Sequence, residues 1–314
     1  MQRIIDPIDR NLIISELTPD KLLRKANKGD NEVYVVDAFN APNTMKEIGR
    51  LREIAFRDAG GGTGTECDID EFDTMQKPCR QLLVWDPNDR EIVGGYRFIL
   101  GEDIALKNNI PNIATSHMFG FSDTFLKEFL PNTLELGRSF VSIDYQSTRS
   151  NTKAIYVLDN LWDGLGALTV IYPQIKYLFG KVTMYPSYGE EGRDILLGFL
   201  HKYFHDEDHL VWPLEELPTN AKAERIQKIF TGKDFREDYK ILNQTIRSLG
   251  RNIPPLVNAY MSLSPTMKVF GTAVNHEFGN VEETGIFFKI SEIFEEKKRR
   301  HIHSFRESDT EFIK

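Results

Sequence analysis

Three charged residues stand where charge is costly. Arg52 shares a stripe with Met45, Ile48 and Phe56, spaced by threes and fours as on one face of a helix. A guanidinium among apolar side chains must send its head to water or hold a carboxylate, of the protein or of a ligand. Glu135 and Arg138 lie in TLELGRSFVSIDY, residues 133–145, which reads as a strand. Three positions apart, they face opposite sides of a regular strand. They reach one cleft only if the strand is distorted between them, and Gly137 is the expected place for a bulge. The alternative is an edge strand with one surface charge on each face. If the two meet, the chemistry is proton transfer by a carboxylate that an arginine orients.

A further set lies in QSTRSN, residues 146–151. Ser147, Arg149, Ser150 and Asn151 precede a long helix, where backbone N–H groups, hydroxyls and a guanidinium suit a phosphate, although an ordinary capped helix start has the same residues. Neither a Gly-Lys-Ser/Thr phosphate loop nor a GxGxxG is present, and no Gly-x-Ser-x-Gly elbow supports serine hydrolysis. The seven histidines form no HExxH, and no metal site is expected. Cys67 and Cys79 are too few for a disulfide framework, and Cys79 lacks a neighbouring base. The run KKRRHIH, residues 297–303, reads as a solvated helix face, with an acidic carrier protein or an anionic membrane surface as the alternative.

These positions are carried by alternating strand and helix patterns. Residues 32–39 (EVYVVDAF) read as a strand, and Asn43 is the expected N-cap of a helix running to Ala59 and stopped by GGGTG. An acidic loop, CDIDEFD, follows. QLLVWD and EIVGGYRFIL form strands joined by a turn at Pro87-Asn88-Asp89, and 102–131 reads as a helical or irregular insertion. After the strand at 133–145 comes a helix over 152–172, with Leu161, Leu165 and Leu168 on its apolar face. A short strand is expected at 181–185, helices over 190–249, a helix from Pro254-Pro255 to Leu263, and final strands VFGTAVN and GIFFKI. The order predicts a mixed α/β sheet with a helical insertion. Residues 1–31 stand apart as an N-terminal extension and 291–314 as a charged, weakly structured tail. At 314 residues, 40% hydrophobic and 27% charged, the chain can bury a full core. A net charge of -8 argues against nucleic acid as a partner. No run approaches the ~20 apolar residues of a membrane span. Charges in the first 21 residues replace the apolar stretch of a secretion signal, so a cytoplasmic location, at most peripheral to the inner membrane, is expected.

LREIAF with Arg52, DEFD with Asp70 and Asp73, VGGYRFIL with Arg97, and ELGRSF with Glu135 and Arg138 occur in a characteristic order. Together they resemble the signatures of acyl-carrier-dependent N-acyltransferases. That group spans the acyl-homoserine-lactone synthases and the ornithine-lipid and glycine-lipid N-acyltransferases, the latter often carrying a hemolysin label. Residues 150–188 and NIPPLVNAYMSLSPTMKVFGTAVNHEFG resemble the lipid-forming branch, and the likeness covers roughly 32–290. It implies a GNAT-like mixed sheet splayed between two central strands, with helices on both faces, a helical insertion at about 190–249 and a C-terminal extension. An acyl-pantetheine thioester would lie in the splay, with its phosphate at the QSTRSN loop. Tyr260 matches the tyrosine that protonates the leaving thiolate in many GNAT enzymes.

From the chemistry, Glu135 would take the proton of an amino-acid ammonium, with Arg138 or Arg52 orienting it. Arg52 or Arg97 would hold the acceptor carboxylate, and Asp70 and Asp73 would bind a cationic amine or order their loop. The expected reaction moves a long 3-hydroxylated acyl chain from acyl carrier protein, or from acyl-CoA, to glycine or ornithine, with no bound cofactor. The rivals are a CoA-dependent small-acyl acetyltransferase of the same fold and a non-catalytic lipid- or membrane-binding protein. For the last, Glu135 and Arg138 would point to opposite faces and line no cleft.

Overall fold

A computed structural model describes residues 1–146, 154–220, 222–306 and 310–312. The chain begins with α1 (Arg10–Glu16), β1 (Leu22–Lys25) and β2 (Glu32–Val36), so the segment before residue 32 adds an edge strand to the sheet. Next comes α2 (Pro42–Ala59), which starts one residue before the expected N-cap Asn43. Its first N–H groups are capped from a distance, because Glu16 accepts from the N–H of Asn43 at 3.0 Å and of Thr44 at 2.7 Å. Gly60, at φ 97°, ends α2 in the left-handed region, as the glycine run predicts.

A short helix, α3 (Glu71–Thr74), leads to the hairpin of β3 (Arg80–Asp86) and β4 (Glu91–Leu100). Asp86 closes its turn by accepting from the N–H groups of Asn88 and Asp89. The insertion at 102–131 consists of β5 (Leu106–Lys107), β6 (Ile110–Pro111), β7 (Phe119–Phe121) and helical turns. Then come β8 (Thr133–Val141), α4 (Ala154–Ile171) and β9 (Tyr177–Met184). β8 stops four residues before Tyr145 because Ile143–Tyr145 coils into a 3₁₀ turn, and β9 begins four residues before Lys181.

The helical stretch holds α5 (Glu190–Phe204), a short β10 (Val211–Pro213) paired with β7, α6 (Ala223–Ile229) and α7 (Phe235–Ser248). α8 (Pro255–Met261), β11 (Lys268–Asn275) and β12 (Val281–Lys289) follow. The charged tail folds as α9 (Glu295–His301). It is fixed to α4 by Arg300–Asp159 and by His301–Asp163 at 2.8 Å, so part of the KKRRHIH charge is already paired.

Among the described residues eight strands form one sheet in the order β1-β2-β3-β4-β8-β9-β12-β11. It is antiparallel except at β8–β9, where the two central strands run parallel. One face carries α4, whose Leu161, Leu165 and Leu168 are buried against it at about 2 kcal/mol each. The other carries α2 through Met45, Ile48 and Phe56 and, beside it, the 113–130 segment through Phe119, Phe125 and Leu126.

Candidate active site

β8 and β9 pair over four residues only, from Thr133 opposite Tyr177 to Leu136 opposite Gly180, and then part. Gly180 is required there, since a Cβ at that position would lie 2.6 Å from the Leu136 carbonyl oxygen. Just beyond, the ladder between β4 and β8 slips. Gly95 faces Phe140 and Arg97 faces Gly137, leaving Arg138 and Ser139 together opposite Tyr96. This is a bulge, one residue later than expected: Gly137 keeps its place, and Arg138 takes φ 48°. A left-handed arginine costs about 1–2 kcal/mol. It is held by Asp68 at 3.1 Å, by Asp70 at 3.5 Å and by the face of Phe278, 4.4 Å away. The bulge brings Glu135 and Arg138 to the wall of one cleft of about 410 Å³, together with Arg97, Ser139 and Lys181. Opposite-facing surface charges are therefore not what this strand presents.

Glu135 is buried, and its Oε1 accepts a hydrogen bond from Thr115 at 2.9 Å. Burial pushes its carboxyl above the ordinary glutamate value, against the pull of Arg97 and Lys181. Asp70 goes the other way. Burial would raise it, but Arg97, with Arg138 and Arg52 behind it, outweighs burial and brings it to about 2. Arg97 donates to both Asp70 oxygens at 2.6 and 2.7 Å and reaches Asp73 at 3.4 Å. Asp70 and Asp73 also form the capping box of α3: each side chain accepts the other's backbone N–H, and Asp70 accepts that of Phe72 as well. Of the two expected roles, these bonds are those of the second: the aspartates order their loop, with Asp73 fully buried and Asp70 also on the wall of a cavity.

Arg52 is fully buried and does not line the cleft. Its guanidinium donates to the Asp68 carbonyl at 3.2 Å, to Asp73 at 3.2 Å and to Gln81 at 3.1 Å. It is the buried arginine of the sequence reading, holding a carboxylate of the protein, Asp73, and set off from the cleft wall. Gln81 joins the network by donating to Asp73 at 2.9 Å.

The sequence reading missed Lys181, Glu283, Thr115 and Asp68. Lys181 pairs with Glu283 at 2.7 Å, and Asn275 donates to Glu283 at 3.1 Å. Burial would raise the Glu283 carboxyl, but Lys181 outweighs it and holds it below the ordinary value. The available signal was a lone lysine in YLFGKVTM and acidic residues in VEETGIFFK, charges in strands otherwise apolar enough to be buried. Asp68 and Thr115 carry no such mark.

Tyr260 lies beneath the parting of β8 and β9, where it lines a smaller cavity with Gly137, Ser139 and Lys181. Burial raises its hydroxyl well above the ordinary tyrosine value, and its oxygen is 3.5 Å from that of Tyr96. Ser147, Arg149, Ser150 and Asn151 lie outside the described residues. A second cavity, of about 340 Å³, abuts the cleft through Arg138, Lys181, Ala114 and Phe278 and reaches Asp70 and Asn275. Burial pushes the Cys79 thiol up to about 12, which removes it as a nucleophile at neutral pH. Among the described residues no group of three or more His, Cys, Asp or Glu side chains could hold a metal ion, and no helix is long and apolar enough to cross a membrane.

Residues 51–155 match the family described as "Acetyltransferase (GNAT) domain". A glycine N(alpha)-acyltransferase of Bacteroides thetaiotaomicron is 58% identical over 315 aligned residues, covering 100% of this chain and 94% of that one. Another, from Phocaeicola vulgatus, is 56% identical and covered over 97% of its length. The solved acyl-homoserine-lactone synthase LasI aligns with 50% of this chain and 74% of its own, at 15% identity and a TM-score of 0.33.

Proposed function

The chain belongs to the family of glycine N(alpha)-acyltransferases and is an acyltransferase with a GNAT domain, and on that premise we propose that it moves a long, 3-hydroxylated acyl chain from the thioester of an acyl carrier protein to the α-amine of glycine. The observation that carries this reading is the bulge at Arg138, which puts a buried carboxyl, Glu135, on the wall of the gap between two parted central strands.

A glycine ammonium cannot attack until it loses a proton. Glu135, with its raised proton affinity, takes that proton directly or through a water. The freed nitrogen attacks the thioester carbonyl, a C–N bond forms and an oxyanion develops. A backbone N–H released from the ladder at Arg138–Ser139 would stabilise it, which is commonly worth about 3 kcal/mol. Collapse breaks the C–S bond. The thiolate leaves with a proton, for which Tyr260, kept protonated by burial, is the donor. The amide nitrogen sheds its remaining excess proton to solvent and the proton held by Glu135 passes through water to restore Tyr260, so the enzyme returns to its starting state and one thioester and one ammonium give one amide, one thiol and one proton. No covalent enzyme intermediate is needed. Arg138 and Lys181 line both cavities, and the glycine carboxylate would share one of these cations with the protein carboxylate already paired to it, Asp68 or Glu283.

The names of both relatives support glycine over ornithine as the acceptor. The product is an amphiphile, so the reading includes release at a membrane surface. The test is mass spectrometry of the purified protein incubated with 3-hydroxyacyl carrier protein and glycine, ornithine or no acceptor, and in parallel with acyl-CoA donors. An N-(3-hydroxyacyl)glycine that requires the carrier-borne donor is the expected result. Product with ornithine alone moves the acceptor, and product with short-chain acyl-CoA alone moves the protein to the small-acyl reading.

A further inference from the structure

Four cations line the cleft, and three are neutralised by carboxylates of the protein: Arg97 by Asp70 and Asp73, Arg138 by Asp68, and Lys181 by Glu283. The fourth, Arg251, lies between α7 and α8 at the far end of the cleft and has no carboxylate partner among the described residues. Its Nη1 donates to the Ser187 carbonyl at 2.6 Å, and its guanidinium carbon is 5.7 Å from the centre of the Tyr188 ring. The Tyr188 hydroxyl is buried on the same wall with no partner, and burial holds its proton on by raising it to about 12.

The position of Arg251 along the strand says which anion it meets. Phe179 faces Glu135 across the sheet. Met184 is five residues further along β9, about 16 Å at ~3.3 Å per residue, and Ser187 lies in the turn just past it. A glycine whose amine touches Glu135 cannot span that distance. An extended pantetheine arm whose thioester sits at Glu135 can, and its far end carries a phosphate. Resting on the acyl-transfer reading above, we infer that Arg251 binds the phosphate at the distal end of the donor's pantetheine arm, and that the Tyr188 hydroxyl donates to an amide carbonyl of the arm. The same phosphate chemistry is offered by a carrier protein and by coenzyme A. The residue belongs to a different element from the QSTRSN loop.

The test crosses removal of the arginine with removal of the phosphate. Glycine acylation is followed for wild type, R251Q and R251K with four donors: acyl carrier protein, acyl-CoA, acyl-phosphopantetheine and acyl-pantetheine. In wild type the phosphorylated arm is favoured over acyl-pantetheine. In R251Q the KM for acyl-phosphopantetheine rises roughly tenfold or more, so that preference collapses, and R251K recovers part of it while the KM for glycine stays put. An equal loss with acyl-pantetheine would make Arg251 a strut for the Ser187 turn and overturn the inference. So would a raised glycine KM, or a loss confined to the intact carrier protein, which would place Arg251 against the carrier's surface. Loss shared by carrier protein, acyl-CoA and acyl-phosphopantetheine assigns it to the phosphate of either source, and loss with acyl-CoA and acyl-phosphopantetheine but not with the carrier protein names coenzyme A as the donor. Melting curves of both variants separate binding from folding. Wild type failing to acylate glycine with any donor would sink the underlying reading instead.

Discussion

Asp70 receives two hydrogen bonds from Arg97, two from backbone N–H groups of α3 and the charge of Arg138, whereas Glu135, which feels the same Arg97, receives one hydroxyl, that of Thr115. The first carboxyl is brought to about 2 and the second is pushed up. Two acids in one buried cluster thus have opposite tasks. One is a permanent anion that sets arginines in place, and the other can exchange a proton with a bound amine. Arg52 belongs wholly to the first kind, since its partners are all inside the protein. Charge paired inside the protein builds the scaffold, and proton chemistry is left to Glu135, whose one hydrogen-bond donor is a neutral hydroxyl.

That contrast can be broken at several points. Glu135→Gln removes the proton acceptor at nearly constant shape, so turnover should fall roughly 10²- to 10⁴-fold while the melting temperature stays close to wild type. A variant turning over at the wild-type rate would take Glu135 out of the reaction. Arg52→Met should do the converse, costing about 3 kcal/mol in chemical denaturation because Asp73 loses a buried partner, with activity per folded molecule preserved. Asp70→Asn sharpens the comparison through pH. An aspartate lowered in the folded state contributes stability that is full above its unfolded value of about 4 and is lost as pH falls toward about 2. The wild-type advantage over Asp70→Asn, about 2 kcal/mol at neutral pH, should therefore shrink across that window in urea melts. A pH-independent difference would mean that the Arg97 pair is not what holds Asp70. Tyr260→Phe carries the smallest effect, roughly tenfold on kcat, because a thiolate leaves readily without full protonation. A shift in glycine KM instead would put the hydroxyl on the acceptor side.

Much of this was open to reading along the chain. β3 and β4 follow from short apolar runs joined by turn residues, and α2 with its glycine stop and the buried face of α4 from spacings of three to four, which are local properties. The order of Arg52, Asp70, Asp73, Arg97, Glu135 and Arg138 pointed to acyl transfer and to a distorted strand. Partnership was not open in the same way. The capping of α2 by Glu16, the pairing of Lys181 with Glu283 and the anchoring of α9 on α4 join residues far apart in the chain, with no local pattern to announce them.

The bulge shows the division most clearly. A regular strand would send Glu135 and Arg138 to opposite faces, so the chain alone required a distortion if they were to share a cleft, and glycine was the residue that local conformational cost favours for it. The folded protein places it on Arg138 instead, because contacts from Asp68, Asp70 and Phe278 offset the one or two kcal/mol that a left-handed arginine costs. Residue types and their periodicity settle which elements form and which chemistry is available, since those depend on neighbours within a turn or a strand. Which charge is spent on the scaffold and which faces the cleft is a matter of three-dimensional neighbours. Burial and pairing set it, and both arise only when distant segments pack together.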